Sequence, residues 1–201
     1  MSIYAQCIGT PLMRISGKWK LELLYTMAGG AIRWKSLVHS LPKAAPNVLT
    51  RQLRQMEADN MVVRRVISTS PPQIVEYELT EEGKRLRPIL SELHQWETDS
   101  RQNQTPSCPL PDFSVSSRVL SSRWMLSIMA LLHEPTRFGC LQQQLEGISR
   151  SVLAAQLQEL CDMKLLSQTR HTCFPPCVEY VLTEEGEKLV GILSRIPEAL
   201  N

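Results

Sequence analysis

The stretch Val75-Glu76-Tyr77-Glu78-Leu79-Thr80-Glu81-Glu82-Gly83-Lys84-Arg85-Leu86 decides how the rest of the chain is read, because it occurs twice. The second copy is Val178-Glu179-Tyr180-Val181-Leu182-Thr183-Glu184-Glu185-Gly186-Glu187-Lys188-Leu189, identical at nine of twelve positions and 103 residues further on. A match of that length at one offset is an internal repeat, and repeats are settled before any local reading. Alternating Val, Tyr and Leu predict a half-buried strand in each copy. Thr80 and Thr183 are placed to cap the helix that follows. The two Glu after each Thr sit in its first turn, where the helix dipole favours negative charge.

The repeat extends upstream with small drifts in offset that loops absorb. Gly17-Lys18-Trp19 faces Ser122-Arg123-Trp124, Arg33-Trp34 faces Arg137-Phe138, and Val48-Leu49 with Gln52-Leu53 faces Val152-Leu153 with Gln156-Leu157. Pro71-Pro72 faces Pro175-Pro176. One unit of about 100 residues, an ordinary domain size, is therefore written twice. The expected domains are residues 1–103 and 104–201, joined by a linker at about 101–111.

Charged residues make up 21% and apolar residues 43% of the 201 positions, an ordinary globular composition. No run of roughly 18 apolar residues suits a membrane span, and Met1 to Gln6 lack the basic start and apolar core of a secretory leader. A cytoplasmic protein is expected, with its six cysteines as thiols. Net charge is only +2, but residues 1–104 carry 14 Lys and Arg against 10 Asp and Glu, whereas residues 105–201 carry 8 against 10.

Apolar periodicity in the first unit predicts helices over Leu12–Ile15 and Leu21–Met27, a short strand at 31–33, and an amphipathic helix at 34–41. After the turn Pro42-Lys43-Ala44-Ala45, Pro46 suits the first position of a helix running to about Asp59. Val48, Leu49, Leu53 and Met56 are expected inside it, with Asn47, Thr50, Arg51 and Arg54 on the opposite face. Two helices around a tight turn make a helix-turn-helix. Strands at 61–67 and 74–79 then form a hairpin wing. A long helix from Glu81 to about Arg101 closes the unit, with Pro88 a point of bending.

The exposed face has chemical meaning. Asn pairs bidentately with adenine, and Arg with guanine or phosphate. Lys43, Asn47, Thr50, Arg51, Arg54, Arg64 and Arg65 are therefore candidate DNA contacts. In the second unit the candidates are Ser149, Arg150, Ser151, Gln158, Arg170 and His171. There Asn47 becomes Ser151, Thr50 becomes Ala154, Arg51 becomes Ala155, Arg54 becomes Gln158, and Arg64-Arg65 becomes Gln168-Thr169. The first unit is expected to be the stronger reader of double-stranded DNA.

Taken together, Cys7, Gly17-Lys18-Trp19, Arg33-Trp34, Val48-Leu49-Thr50, Pro71-Pro72 and Val75–Thr80 resemble the HxlR type of winged helix-turn-helix regulator. The second unit matches through Cys108-Pro109, Arg137-Phe138, Ile148-Ser149, Val152-Leu153, Pro175-Pro176 and Val178–Thr183. The resemblance implies an α+β, mostly helical protein that binds operator DNA as a two-fold dimer, one unit per chain. Here two tandem winged helix-turn-helix domains are fused. That leaves two arrangements open: a homodimer through the C-terminal helices, or a monomeric pseudo-dimer. A tandem winged-helix scaffold for other proteins, of the chromosome-condensation accessory type, is the alternative reading.

Cys140 and Cys161 are expected as small buried residues. Cys173 and Cys177 flank the second wing tip, and Cys7 resembles the N-terminal Cys that some relatives use in sensing. These three are the candidate redox residues. The His171–Cys177 stretch fits no strong zinc pattern, so no metal and no cofactor are expected. No catalytic set and no Gly-rich phosphate loop is present, so an enzyme is not expected. Trp19, Trp34, Trp124 and Phe138 are expected in cores.

Overall fold

A computed structural model describes residues 10–68, 70, 73–100, 113–172 and 177–200. In chain order the first repeat comprises α1 (Thr10–Ile15), α2 (Lys20–Met27), β1 (Ile32–Arg33), α3 (Trp34–Ser40), α4 (Pro46–Ala58), β2 (Val62–Ser68), β3 (Ile74–Leu79), α5 (Glu81–Arg85) and α6 (Arg87–Ser100). The second comprises α7 (Ser114–Ser121), α8 (Met125–Ala130), β4 (Thr136–Arg137), α9 (Phe138–Gln144), α10 (Arg150–Asp162), β5 (Leu166–His171), β6 (Cys177–Leu182), α11 (Glu184–Ser194) and α12 (Ile196–Ala199). Both repeats are winged helix-turn-helix folds, mostly helical with one small sheet each. Both sheets are antiparallel, in the orders β1-β3-β2 and β4-β6-β5. Ile32 pairs with Tyr77 in one and Thr136 with Tyr180 in the other.

The duplicated motif explains itself in three dimensions. Helix α4 ends on Asn60, which adopts φ 57°. Asn60 N–H donates to the Glu57 carbonyl at 3.1 Å and Met61 N–H to the Met56 carbonyl at 2.8 Å, the paired bonds of a Schellman stop. Thr80 then ties this stop to the next helix. Its N–H donates to the Met61 carbonyl at 3.1 Å. Its hydroxyl donates to the Asn60 carbonyl at 2.7 Å and accepts from Gly83 N–H at 3.1 Å. A Cβ on Gly83 would come within 3.0 Å of the Met61 carbonyl oxygen, so only glycine fits. The second copy repeats every part. Lys164 has φ 60°, Thr183 bonds the Lys164 and Leu165 carbonyls at 2.7 and 3.0 Å, and Gly186 meets the Leu165 carbonyl under 3.0 Å.

The long helix expected from Glu81 is instead two, α5 and α6, parted at Leu86. Pro88 offers no N–H to the Lys84 carbonyl and its ring clashes there. The chain resumes with Leu90 N–H on the Leu86 carbonyl at 2.8 Å. Trp34 packs on Tyr77 with ring centroids 6.2 Å apart. Trp19, Trp34, Trp124 and Phe138 are half-buried rather than core residues. The cores are mainly aliphatic, with Leu21, Leu24, Met27, Leu37, Leu53 and Met56 in the first repeat and Met125, Ile128, Met129, Leu141, Leu157 and Leu160 in the second, and Tyr77, Trp96 and Phe113 are buried aromatics.

The chain forms two compact units whose boundaries do not follow the repeats. The smaller holds Ser122–Ser194, and the larger holds Thr10–Ser121 with the segment from Arg195. The larger unit thus contains the first and last helices of the second repeat. Within it α7 packs on α1 and α6, and α12 packs on α1. Glu97 of α6, almost fully buried, accepts from Ser116 N–H at 2.8 Å and from the Ser116 hydroxyl at 2.6 Å. A carboxylate thereby caps the open first turn of α7. The boundary expected between residues 103 and 104, and the linker around it, lie outside the described residues.

Two glycines of α11 separate these effects. Gly186→Ala should cost about 1–3 kcal/mol through overpacking against a backbone carbonyl. Gly191 is exposed with no atom near its missing Cβ, so Gly191→Ala should stabilise by up to about 1 kcal/mol through helix propensity. Urea denaturation followed by circular dichroism checks both signs, and a neutral Gly186→Ala would remove the steric account.

Candidate nucleic-acid interface

Helix α4 carries the face that the sequence singles out. Its buried residues are Leu49, Gln52, Leu53 and Met56, spaced i, i+3, i+4, i+7. Val48, expected inside, is only half-buried, and its counterpart Val152 is 40% exposed. Both lie one residue off that stripe, and Gln52 takes the inner position instead. Asn47, Arg51 and Arg54 are exposed at i, i+4 and i+7 and form one stripe along the helix. Thr50 is half-buried and donates its hydroxyl to the Pro46 carbonyl at 2.9 Å. Asn47 accepts from Val48 N–H at 2.8 Å, which leaves its amide NH2 available for a partner.

Among the described residues, Lys43, Arg51, Arg54 and Arg64 are exposed and make no ion pair. Arg65 is exposed but reaches Glu78 at 3.1 Å across the hairpin. The structure therefore brings Asn47, Arg51 and Arg54 together on one ridge and sets Arg64 on the adjoining wing strand. That strand also exposes Val63, Val66 and Ile67, an apolar edge that charge-based reading passes over.

Two residues missed in the sequence hold this helix in place. Lys20 is fully buried, donates to the Arg14 carbonyl at 2.8 Å and lies 3.6 Å from the Asp59 carboxylate. Burial lowers its pKa, and Asp59 opposes that shift. Arg14 donates to Glu82 at 2.6 Å, to the Asp59 carbonyl and to the Met61 sulfur at 3.4 Å. The hydrogen bond from Arg14 holds the Glu82 carboxyl below its ordinary pKa. Arg14 and Lys20 thus clamp the C-terminal end of α4. The repeat held the signal: their counterparts are Val119 and Met125, and apolar counterparts mark buried sites.

The matching face of α10 is chemically different. Ser149 caps the helix, accepting from Val152 N–H at 3.3 Å, and its hydroxyl lies 3.1 Å from that of Ser151. Ser151, Ala154, Ala155 and Gln158 are exposed. Gln158 donates to Asp162 at 2.8 Å. The Arg150 guanidinium sits 5.5 Å from the Phe138 ring centroid, within cation–π range. Arg170 is exposed on β5. His171 lies 2.8 Å from Glu179, which also accepts from Arg137 at 3.1 Å. Those two partners, Arg137 first, depress the Glu179 pKa.

Cys140 is exposed and Cys161 half-buried, against the expectation that both are buried. Each stands next to a buried leucine, Leu141 or Leu160, rather than on the apolar stripe. Burial raises the Cys161 thiol pKa, with Asp162 adding to the shift. Cys177 opens β6 half-buried. Cys7 and Cys173 lie outside the described residues. No group of three or more metal-binding side chains occurs among the described residues, and no described helix is long and apolar enough to cross a membrane.

A short helix, a tight turn, an exposed polar second helix and a hairpin wing, present twice, define a winged helix-turn-helix protein of the DNA-binding kind. The family model described as HxlR-like helix-turn-helix matches residues 14–105 and again 119–199. The chain belongs to that family, in two tandem copies, and is a DNA-binding transcriptional regulator of the HxlR kind. It is similar to an uncharacterized HTH-type transcriptional regulator of Methanothermobacter thermautotrophicus, 38% identical over 93 residues, spanning 46% of this chain and 70% of the relative. It is also similar to the uncharacterized HTH-type transcriptional regulator YybR of Bacillus subtilis, 41% identical over 87 residues, spanning 43% and 69%. The solved structure of the redox regulator HypR in its reduced form is 39% identical, with TM-score 0.43, covering 46% of this chain and 90% of that one.

The two faces of α4 should separate in stability measurements. Arg51→Ala and Arg54→Ala should shift unfolding free energy by no more than about 0.5 kcal/mol, as exposed substitutions do. Leu53→Ala and Met56→Ala, in the core, should each cost about 2–5 kcal/mol. A large loss at either arginine in chemical denaturation would show that it serves packing instead.

Proposed function

We propose that the two repeats of this regulator read DNA unequally, with the first the stronger reader and the second a weaker reader or pairing partner. The supporting observation is the exposed ridge of Asn47, Arg51 and Arg54, with Lys43 and Arg64 nearby and also without ion pairs. Its counterpart in the second repeat is Ser151, Ala155 and Gln158. Cations near phosphate release counterions and supply most non-specific affinity. A ridge at the start of the second helix of a helix-turn-helix is the part that enters the major groove, while a wing touches neighbouring backbone. On this reading Asn47, Arg51 and Arg54 meet base edges or phosphates, and Arg64 and Lys43 meet backbone. Ser149, Ser151 and Gln158 contribute neutral hydrogen bonds. Arg150, Arg170 and His171 supply the remaining positive charge.

Selecting bound fragments from random DNA with the full chain, then titrating the winner at several salt concentrations, tests this. Arg51→Ala/Arg54→Ala should lower the magnitude of the slope of log affinity against log salt by about 2, as expected for two lost phosphate contacts. Gln158→Ala should leave that slope unchanged. Equal losses from the two substitutions would remove the unequal-reader proposal, and affinity indifferent to salt would favour the protein-scaffold alternative.

A further inference from the structure

Within the larger unit one ion pair joins Arg195 to Glu92, residues 103 positions apart in sequence. That is the spacing of the repeat itself at this point, since Thr80 matches Thr183 and Leu86 matches Leu189. Glu92 and Arg195 are therefore the same position of the two repeats. Burial supports the alignment: Ile89, Leu90 and Leu93 are buried, as are Ile192, Leu193 and Ile196. A residue that meets its own counterpart lies on a local two-fold axis. The helices around it agree, because α7 is the counterpart of α1 and the two pack together. The reciprocal contacts, α6 on α7 and α12 on α1, are both present.

The chemistry at this axis differs between the halves. Two identical first repeats paired here would set Glu92 against Glu92, and two second repeats Arg195 against Arg195. Glu97 draws two hydrogen bonds from Ser116. The counterparts of these residues are Leu200 and Pro11, a side chain without charge and a residue with no N–H to donate. Two first repeats paired through these helices would take from the buried Glu97 both donors that Ser116 supplies, and put Pro11 in their place. Like charges and lost buried donors are the repulsive elements by which an interface rejects a wrong partner.

We propose that the terminal helices of this chain form a heterotypic pairing surface whose partner is the other repeat of the same chain, and that it discriminates against the pairing of like repeats from two copies. The first repeat presents Glu92, Glu97 and Pro11. The second presents Arg195, Leu200 and Ser116. One chain then supplies both halves of what the family resemblance assigns to a two-chain dimer. The inference rests on the duplication and not on affinity for DNA.

The test uses the full chain carrying Arg195→Lys, a conservative change at an exposed site, with folding checked by circular dichroism. A carbodiimide activates the Glu92 carboxyl, the new amine displaces the activated oxygen to form an amide, and the carbodiimide leaves as a urea having taken up the elements of water. Equal amounts of unlabelled and 15N-labelled chain are unfolded together, refolded and coupled, and the linked peptides are read by mass spectrometry. The expected product joins residues 92 and 195 in all-light and all-heavy forms only. Mixed light–heavy peptides at about half of the product, the random-mixing expectation for pairing between copies, would overturn the proposal. So would a folded chain that yields no 92–195 product. Equal losses of DNA affinity from Arg51→Ala/Arg54→Ala and Gln158→Ala would sink the unequal-reader proposal and leave this result standing.

Discussion

The fold turns on two backbone carbonyls in each repeat, those of Asn60 and Met61 and those of Lys164 and Leu165. Each pair sits where α4 or α10 has just ended and the wing begins. A left-handed residue points these carbonyls away from the helix they leave, so another group must satisfy them. One threonine does so in each repeat, through its hydroxyl and its N–H. The same hydroxyl accepts from the first turn of the following helix. Three elements are thus held by one side chain, and the closeness that results leaves no room for a Cβ at Gly83 or Gly186. The wing hairpin cannot tilt relative to the helix before it without breaking this set.

That constraint explains why the motif was the most legible part of the sequence. Thr and Gly have distinct local tasks, the cap and the close approach to a carbonyl, and the two Glu suit the first turn of the helix between them. Strand alternation, capping and helix periodicity were also readable, because each depends on neighbours close in sequence. What escaped depends on distant neighbours. Lys20 sits inside an apolar helix with nothing local to announce burial, since its partners are the Arg14 carbonyl and Asp59. The half-buried placement of Val48 and the exposure of Cys140 and Val152 turned on single steps around a helix. The break at Leu86 was foreseeable as a bend from Pro88, but its completeness was not.

Duplication lets the chain serve as its own control. Where two copies keep a residue, as at Leu53 and Leu157 or Gly83 and Gly186, a packing or backbone requirement is visible in both. Where they differ on the exposed face of the second helix, no packing requirement is broken, because Arg51 and Arg54 touch nothing that the fold needs. The clamps differ in kind. The first repeat fixes the end of α4 with Arg14, Lys20, Asp59 and Glu82, and the second has Val119 and Met125 at the positions of Arg14 and Lys20. A buried cation loses hydration and must be repaid by partners, whereas an apolar residue at the same place is stabilising by burial alone. At those sites the second repeat carries no charged side chain.

Fold and exposed charge are separable in this architecture for a physical reason. The apolar stripe of Leu49, Leu53 and Met56, with Gln52 between them, faces inward by helical periodicity, and its opposite face is left without structural duty. Cations placed there pay no desolvation cost in the free protein and keep their charge for a polyanion. Their number then sets electrostatic attraction without altering the scaffold beneath. One repeat can lose them and stay folded, provided its terminal helices still have a surface to pack on. In this chain α7 and α12 have that surface within the larger unit, while Ser151, Ala155 and Gln158 stand uncharged where the first repeat has Asn47, Arg51 and Arg54.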